Sequence, residues 1–503
     1  MLSRRDFLKG LGSLPIVTLA QLPLSRFLWG QDQNWGALQQ QIASTGSQLS
    51  LPGDAAYLSA KQIFNLRLNP SPAAILTGSS EDAIQKAIAW AAQNNVNVYG
   101  RSGGHSYEGF SMGPGLVVDT RGFNTINVDS DAQTATIGAG SLLGRVIHTL
   151  SDGTSNNGFA IPTGSCGTVG VAGLTLGGGM GLSSRMWGLT CDNLNSVRII
   201  TADGNIQNVS STQNADLFWA LRGGGGGNYG VVTSFEFNLH RALDVVTFTM
   251  AWPGSQFERV FTNWQQQIQN TQSQNGLNPR QVTSIFKINA NSSGITDVRI
   301  VGQVLSGDGQ NAPTTSDARA LIQPYAVGNP SASHLNPMTF VKAAEFFAGG
   351  THFPEDDPPV RFKAKSSYCM EALDSNAMST IRSALANNIP SGAGVCLMCD
   401  SYGGAIADVA ADATAFAHRN ALYCMQYYVQ WGNSSSDTSM LNMMNALYTQ
   451  INPNFSGACY PNYCDSDLPN PLAAYYGDNL ARLQSIKKTV DPSGLFKNSI
   501  QNL

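Results

Sequence analysis

Glycine is concentrated between residues 100 and 230, and this stretch constrains the fold more than any other feature of the sequence. It contains "GRSGGHSYEG" at 100–109 and "PTGSCGTVGVAGLTLGGGMG" at 162–181. The 52 glycines make up about a tenth of the 503 residues, against a usual share of ~7%. Glycine serves where the backbone takes positive φ or where another group approaches it closely. We therefore expect tight turns around a ligand rather than a low-complexity linker.

One of the six histidines, His105, lies inside the first glycine-rich loop. The preceding residues Ser102, Gly103 and Gly104 can turn successive backbone N–H groups toward a pyrophosphate, which forms an anion nest. His105 would then lie beside a bound cofactor. A histidine that only caps a turn is the alternative interpretation.

The length and charge of the chain limit the classes of function. A chain of 503 residues exceeds the size at which a single core stops growing, so two or more domains are expected. The net charge of -4 gives no attraction to a negatively charged nucleic acid, and we expect no nucleic-acid partner. From about residue 243 the composition changes to longer alternating and helical stretches with few glycines, which predicts a domain boundary there.

The first 30 residues predict export. "SRRDFLKGLGSLPIVTLA" joins Arg4 and Arg5 to a short, weakly apolar stretch, a pattern typical of a twin-arginine signal. An ordinary basic first helix is the alternative. The apolar run is too short and interrupted for a stable membrane span. We expect a periplasmic or secreted protein that is carried folded by the twin-arginine machinery.

Local patterns predict several elements. "SEDAIQKAIAWAAQNN" is typical of a helix with Ser80 as N-cap, followed by the strand "VNVYG". "GLVVDT" and "TATIGAG" are expected to be strands, and "SLLGRVIHTLSDG" a helix. The tail "PLAAYYGDNLARLQSIKKTVDPSGLF" predicts one amphipathic helix that ends at Asp491. "GAGSLLG" misses the dinucleotide fingerprint, because no acidic residue follows at the end of a second parallel strand.

Eight cysteines in an exported protein permit disulfides. Cys396-x-x-Cys399 and Cys459-x4-Cys464 could also form a four-thiolate zinc site, but the pairs lie far apart and lack zinc-ribbon spacing. A disulfide or buried thiols fit the pattern better, and no metal is expected.

Three segments together resemble one family. "RSGGHS", "GSCGTVGVAGLTLGGGMG" and "YYGDNLARLQSIKKTVDPSGLF" are similar to the berberine-bridge-enzyme-like flavoproteins of the vanillyl-alcohol-oxidase superfamily, in the same order and over nearly the whole mature chain. The resemblance implies an α+β fold with a two-subdomain PCMH-type FAD-binding domain at 67–242. A substrate domain with an antiparallel sheet covered by helices would occupy 243–455, and residues 456–503 would return to the FAD domain.

The resemblance implies a covalently bound FAD. His105 matches the residue that attaches to the flavin 8α-methyl group, and Cys166 matches the cysteine that attaches to the flavin 6-position in bicovalent members. Covalent loading in the cytoplasm would account for a twin-arginine signal. The other predicted cofactor contacts lie in or near the same motifs: Arg101, Ser102, Gly103, Gly104, Ser106, Val169, Gly170, Gly173 and Val232. Valine at 169 is typical of family members that use oxygen, although it could also be a core residue.

The resemblance also implies the catalytic residues. In "YPNYCD" Tyr463 matches the base that takes the substrate hydroxyl proton, with Tyr460 the next residue to test. Asp400 in "DSYGG" would assist Tyr463, and Gln426 and Tyr428 would contact the substrate; Asp400 and Gln426 could equally be ordinary hydrogen-bonding residues. Weaker candidates flank the motifs or could stack on sugar rings, although aromatic residues are core more often: Tyr107, Arg185, Trp252, Trp264, Tyr368 and Trp431. Trp187 is expected to pack.

These residues predict an exported FAD-dependent oxidase that oxidises a hydroxyl-bearing carbon. The favoured substrate is the anomeric carbon of a mono- or oligosaccharide, giving a lactone while oxygen becomes hydrogen peroxide. The alternative is a flavin-linked oxidase or dehydrogenase of a secondary-metabolite or aryl alcohol. A non-catalytic flavin-bearing binding protein would be favoured if Tyr463 lay far from the flavin.

Overall fold

The computed structural model describes residues 34–151, 158–273, 276–349, 357–498 and 503. The twin-arginine signal expected at residues 1–30 lies outside these ranges. None of the helices in the described ranges has the length and apolar character needed to cross a bilayer.

The first part of the fold is a mixed sheet with helices packed on it. Its elements are α1 (Trp35–Ile42), β1 (Gln48–Ser50), α2 (Ala55–Ala60), β2 (Ala74–Thr77), α3 (Glu81–Gln93), β3 (Val98–Arg101) and β4 (Leu116–Asp119). The strand order is β1-β2-β4-β3, with β2, β4 and β3 parallel and β1 antiparallel to β2. Strand β4, "LVVD", is buried along its length, as is typical of a central parallel strand. The Ser80 side chain accepts a hydrogen bond from the Ala83 N–H and caps α3 as predicted.

The glycine-rich stretch begins in the connection between β3 and β4 of the first sheet, and its larger part belongs to a second, antiparallel sheet and its connections. These elements are β5 (Ile126–Asp129), β6 (Thr134–Gly138), α4 (Leu143–Leu150), β7 (Phe159–Ala160), α5 (Val171–Leu176), α6 (Ser184–Trp187), β8 (Leu194–Ile200), β9 (Ile206–Ser210), α7 (Ala215–Ala220), β10 (Val231–Asn238) and β11 (His240–Arg241). The strand order is β5-β6-β10-β8-β9, and β7 pairs with β11. The predicted strands "GLVVDT" and "TATIGAG" and the helix after them correspond to β4, β6 and α4.

Residues 245–451 contain a long antiparallel sheet covered by helices. The elements are β12 (Val245–Pro253), α8 (Phe257–Gln269), β13 (Val282–Asn291), β14 (Gly294–Val304), α9 (Thr315–Ile322), β15 (Ala332–Met338), α10 (Phe340–Phe347), β16 (Arg361–Cys369), α11 (Ser375–Asn388), β17 (Gly394–Ser401), α12 (Ala405–Asp408), β18 (Tyr423–Trp431) and α13 (Asp437–Ile451). The order of the strands is β15-β12-β14-β13-β17-β18-β16, and every adjacent pair is antiparallel. The expected α+β class is confirmed.

The two faces of this sheet have different surroundings, because successive side chains of a strand point to opposite faces. In β17, Leu397 and Cys399 join the core formed with α8, α11 and α13. The intervening Met398 and Asp400 line a cavity on the other face. The sheet therefore has one apolar, helix-covered face and one face available to a ligand.

The C-terminal segment returns to the first sheet. Its helices α14 (Pro471–Tyr476) and α15 (Leu480–Val490) replace the single predicted helix. The break lies at Gly477, whose φ of +47° is left-handed and ends a helix. Beyond α15, the Val98 N–H donates to the Leu495 carbonyl and the Lys497 N–H donates to the Val98 carbonyl, so the tail pairs with β3.

Candidate active site

A cavity of about 510 Å³ lies between the glycine-rich loops, the open face of the long sheet and the C-terminal segment. The structure brings the residues predicted for cofactor binding, catalysis and substrate contact into its lining: Arg101, Ser102, Gly103, Gly104, His105, Ser106, Cys166, Val169, Gly170, Gly173, Val232, Asp400, Gln426, Tyr428 and Tyr463. Tyr107 and Tyr460 line it as well. These residues come from distant parts of the sequence, so the fold and not sequence proximity assembles the site.

The two glycine-rich motifs meet at the cavity wall. A Cβ on Gly103 would collide with the backbone of Gly170, and a Cβ on Gly170 would collide with the side chain of Ser102. Ser102 Oγ donates to the carbonyl of Ala139 at 2.7 Å and ties this contact to the second sheet. Glycine is therefore required here because two backbones touch, and the same contact leaves a wall of backbone groups open to a ligand.

His105 lies in the cavity wall with its ring stacked on Phe64, the centroids 4.0 Å apart. Its Nε2 lies 2.8 Å from the Thr168 hydroxyl. Burial, reinforced by the nearby Arg101 charge, lowers the pKa of His105 to about 3. The imidazole is consequently neutral at physiological pH, with a lone pair on one ring nitrogen.

Cys166 and His105 share a hydrogen-bonding partner. Cys166 Sγ lies 3.5 Å from the same Thr168 hydroxyl. Burial raises the pKa of Cys166, and hydrogen bonding from Thr168 partly offsets that rise. Thr168 was not among the residues predicted from the sequence; its position two residues after Cys166, in a run otherwise of glycine and valine, was the available signal.

The cavity lining fits FAD. Arg101 is 4% exposed and lies 3.5 Å from the carboxylate of Asp119. Burial lowers the pKa of Arg101 to about 10, so the guanidinium remains charged at neutral pH beside the glycine wall. Among the described residues, Arg101 Nε and Ser111 Oγ are buried without a hydrogen-bond partner, and both residues line the cavity. Unpaired buried polar atoms, a cation and exposed backbone suit a phosphate-bearing cofactor with a flat ring system.

Tyr463 and Asp400 form the polar centre of the cavity. Tyr463 Oη donates to Asp400 Oδ2 at 3.2 Å. Burial raises the pKa of Asp400 to about 7, although the bond from Tyr463 opposes the rise. Burial and the Asp400 charge raise the pKa of Tyr463 well above its ordinary value. At neutral pH the pair is a phenol beside a carboxyl group that is poised to gain or lose a proton.

Tyr107 and Gln426 hold this pair in place, and Tyr428 lines the same cavity. The ring of Tyr107 stacks parallel to that of Tyr463, with centroids 5.5 Å apart. Gln426 Nε2 donates to Tyr107 Oη at 2.7 Å, which leaves the Gln426 amide oxygen as an acceptor. Tyr428 stacks on Phe362 at 5.5 Å. Tyr107 is thus more central than its position beside the His105 motif indicated.

Tyr460 is already engaged in structural bonds. Its hydroxyl oxygen accepts hydrogen bonds from the backbone N–H groups of Gly179 and Met180 at 3.0 and 3.1 Å, and from Asn462 Nδ2 at 3.0 Å. Burial raises the pKa of Tyr460. These bonds tie the C-terminal segment to the glycine-rich loop and make Tyr460 a poorer base candidate than Tyr463.

Several weaker candidates lie outside the cavity. Arg185 is buried and donates to the carbonyls of Val282, Ile268 and Tyr402, so its role is structural. Trp252, Trp264 and Tyr368 are buried in the hydrophobic cores, and Trp431 Nε1 donates to Asp437 at 2.7 Å. The interpretation that Trp252, Trp264 and Tyr368 stack on sugar rings is wrong, because these side chains are buried. Trp431 is partly buried and is not part of the cavity lining. Trp187 packs against His240, as expected.

A cluster of mostly buried charges includes carboxylates close in sequence to Tyr107 and Tyr463, and none of its residues was predicted. We call it the lysine–carboxylate cluster: Lys363, Lys365, Glu108, Asp465 and Asp467. Lys363 Nζ lies 2.6 Å from Glu108 and 2.7 Å from Asp465, and Lys365 Nζ lies 2.8 Å from Asp465 and 2.7 Å from Asp467. Burial alone would lower the pKa of Lys363, but the carboxylates of Asp465 and Glu108 have the larger combined effect, and the pKa is raised. Two lysines at alternate positions of the apolar strand "RFKAKSSYC" were the available signal.

All eight cysteines are free thiols, so the buried-thiol alternative holds and the disulfide alternative is wrong. Seven of them are buried or lie in strands. No group of potential metal ligands occurs among the residues that the structure describes.

Comparisons with known proteins agree with this site. The FAD binding domain family model matches residues 72–210, and the Berberine and berberine like model matches residues 459–500. An FAD-linked oxidoreductase of Bacillus subtilis, YgaK, is 32% identical over 88% of this chain and 94% of its own length. Glucooligosaccharide oxidase of Sarocladium strictum is 31% identical over 87% of this chain and 88% of its own length.

Solved structures show the same fold. BBE-like 1 of Physcomitrella patens has a TM-score of 0.81 at 28% identity and covers 92% of this chain and 97% of its own. The carbohydrate oxidase from Microdochium nivale, solved with a substrate analogue, has a TM-score of 0.81 at 25% identity over 93% of this chain and 99% of its own. The expected PCMH-type fold is confirmed, and the chain belongs to the berberine-bridge-enzyme-like family of FAD-linked oxidoreductases.

Proposed function

We propose that this protein is an exported FAD-dependent oxidase that oxidises the anomeric carbon of a mono- or oligosaccharide to a lactone and reduces oxygen to hydrogen peroxide. The observation that carries the proposal is the Tyr463–Asp400 pair, which lines the same cavity as His105 and Cys166. Carbohydrate oxidases among the relatives support a saccharide substrate. FAD, when bound, supplies the acceptor for the hydride that leaves the substrate carbon. The proposal includes a flavin domain at 67–242, a substrate domain at 243–455 and export by the twin-arginine route.

Tyr463 and Asp400 accept and pass on the proton of the substrate hydroxyl. The substrate hydroxyl donates its proton to Tyr463 Oη while the Tyr463 proton passes to Asp400 Oδ2, so neither group has to hold an isolated buried charge. Gln426 and Tyr428 offer a hydrogen-bond acceptor and an aromatic face to a sugar ring. Tyr107 keeps the Tyr463 ring parallel to its own and fixes the direction of the phenol.

A substrate screen tests the proposal directly. Purified protein is incubated with a panel of mono- and oligosaccharides and a matched panel of aryl alcohols, and peroxide release is measured. We expect peroxide with at least one saccharide, and about 10²–10⁴-fold slower release from Tyr463→Phe under the same conditions. Peroxide from aryl alcohols alone would show that the substrate class is wrong. Absence of flavin reduction with every compound under anaerobic conditions would contradict the oxidase assignment.

The rate of flavin reduction is expected to depend on the ionisation of Asp400. Because burial raises the pKa of Asp400 to about 7, the carboxylate that receives the proton predominates above that pH and disappears below it. The anaerobic reduction rate should therefore rise with pH through about 7. Stopped-flow reduction at a fixed saturating substrate concentration measures this profile. A flat profile in the wild type would show that Asp400 does not accept the proton.

Oxygen use is expected to depend on Val169, which lines the cavity near Cys166. The larger side chain in Val169→Leu should slow reoxidation of the flavin by oxygen and leave its anaerobic reduction by substrate largely intact. Both half-reactions are measured in a stopped-flow instrument, with Val146→Leu, in the core away from the cavity, as the control for packing. Equal oxygen rates in Val169→Leu and wild type would remove Val169 from any role in oxygen access.

The flavin is expected to be attached at two residues. His105→Ala and Cys166→Ala should each retain one bond, and the double variant should release all flavin on acid precipitation. Mass spectrometry of flavin-bearing peptides assigns each bond. Complete release of flavin from acid-treated wild type would show that neither bond forms.

A further inference from the structure

We infer that Thr168 is the residue that prepares both proposed attachment residues for bond formation with the flavin. Its hydroxyl lies 2.8 Å from His105 Nε2 and 3.5 Å from Cys166 Sγ, so one side chain contacts both nucleophiles. Thr168 is 9% exposed, and the short distances leave little freedom for the hydroxyl to turn elsewhere. The inference rests on the bicovalent attachment proposed above.

A hydroxyl group can accept and donate a hydrogen bond at the same time. In the arrangement we assign, His105 Nε2–H donates to Thr168 Oγ1, and Thr168 O–H donates to Cys166 Sγ. With its proton held on Nε2, the neutral imidazole carries its lone pair on Nδ1, which is then the nucleophilic atom. A donor to sulfur favours the thiolate, which is the reactive form of cysteine. One hydroxyl thus fixes the reactive tautomer of His105 and stabilises the thiolate of Cys166 relative to the thiol.

The electrostatics of the site make this selection necessary. Burial raises the pKa of Cys166, and hydrogen bonding from Thr168 is the chief influence that lowers it again. Asp357, whose carboxylate lies 4.0 Å from Cys166 Sγ, raises it further. Arg101 acts on His105, where its charge favours the neutral ring. Without the Thr168 hydroxyl the pKa of the Cys166 thiol would rise further, and either ring nitrogen of His105 could carry the hydrogen.

Each attachment is an oxidation. Forming the C–N bond removes the imidazole N–H hydrogen and one C–H hydrogen of the flavin, and forming the C–S bond removes the thiol hydrogen and one C–H hydrogen. Two electrons and two protons leave for each bond, and we assign molecular oxygen as their acceptor, giving hydrogen peroxide. Thr168 takes no part in the electron balance, which makes it a positioning residue.

The experiment compares Thr168→Val, which keeps the shape and removes the hydroxyl, with Thr168→Ser, which keeps the hydroxyl. Both are made in the full-length protein, and also in the Cys166→Ala and His105→Ala backgrounds so that each bond is followed alone. Protein produced with limiting flavin is mixed with FAD in air, and covalent flavin is measured over time by acid precipitation and peptide mass. We expect Thr168→Val to slow each bond by roughly tenfold, and Thr168→Ser to attach at close to the wild-type rate.

The pH dependence separates positioning from a general packing defect. In Thr168→Val the formation of the cysteine bond should need a higher pH than in wild type, because the thiol has lost the bond that lowers its pKa. Thermal unfolding and non-covalent FAD binding show whether Thr168→Val is folded. Wild-type attachment rates in Thr168→Val, or an equal loss in Thr168→Ser, would overturn the inference. Wild-type protein without any covalent flavin would overturn it too, while peroxide release from saccharides could still support the proposed function.

Discussion

Replacing Tyr463 with phenylalanine is expected to slow anaerobic flavin reduction by about 10²–10⁴-fold, the usual contribution of general-base assistance. The variant removes only the hydroxyl that lies 3.2 Å from Asp400 Oδ2, and it keeps the ring that stacks on Tyr107. Flavin attachment and folding should be unchanged, since Tyr463 contacts neither His105 nor Cys166 by a hydrogen bond among the described residues. Stopped-flow reduction under anaerobic conditions measures the effect.

Two further variants define the role of Tyr463. Tyr57→Phe removes a buried hydroxyl that donates to the Pro72 carbonyl outside the cavity, and it should leave reduction unchanged. Asp400→Asn should have a smaller effect than Tyr463→Phe and should move the pH dependence to higher pH, because the phenol proton has lost its acceptor. An unaltered reduction rate in Tyr463→Phe would mean that another group, with Tyr460 the first to examine, accepts the proton.

Replacing Lys363 with methionine is expected to destabilise the folded protein by about 3–5 kcal/mol, the usual result of removing one partner from a buried ion pair. Lys363 is 2% exposed and is bonded to both Glu108 and Asp465. The variant removes this shared cation, but Asp465 keeps Lys365 and Glu108 keeps Arg67, so we expect the lower end of this range. Methionine fills most of the volume of the lysine stem, which limits the effect to the charge. Urea unfolding, followed by near-ultraviolet circular dichroism, measures the shift in midpoint.

An exposed ion pair provides the matched control. Lys86 pairs with Asp82 on the surface of α3 at 2.7 Å, and its side chain is 35% exposed. The same substitution, Lys86→Met, should change stability by less than about 1 kcal/mol, because solvent already screens this pair. Similar losses of stability in the two variants would mean that burial does not determine how much the lysine–carboxylate cluster contributes to the stability of the fold.

Much of the cavity could be predicted because many of its lining residues lie in short sequence motifs. The glycine loops around His105 and Cys166 have a physical cause, namely the close approach of Gly103 and Gly170. Because this contact requires glycine at both positions, it can be recognised as a short glycine-rich motif in the sequence. Alternation within strands explains why Asp400 and Gln426 share the ligand-facing side of the long sheet. Both features can be recognised without knowing the rest of the fold.

The residues that were missed depend on contacts between distant segments. Glu108, Lys363 and Asp465 are ordinary charged residues when each is considered by itself, and only the folded chain places them together. The helix expected at the C-terminus was interrupted because one left-handed glycine, Gly477, outweighs the helical periodicity around it. Trp252 and Trp264 illustrate the reverse error, since aromatic side chains leave the same pattern in a core and in a sugar site.

The pairing of the C-terminal tail with β3 has a consequence for how the protein is made. The hydrogen bonds that join Val98 to Leu495 and Lys497 close a loop that spans almost all of the described chain. Contacts between such distant residues form late and slowly during folding. A ribosome must therefore release nearly the entire polypeptide before this sheet edge is covered and before Tyr463 reaches the cavity. The proton-accepting pair is then acquired only at the end of synthesis, and a prematurely terminated chain would lack it.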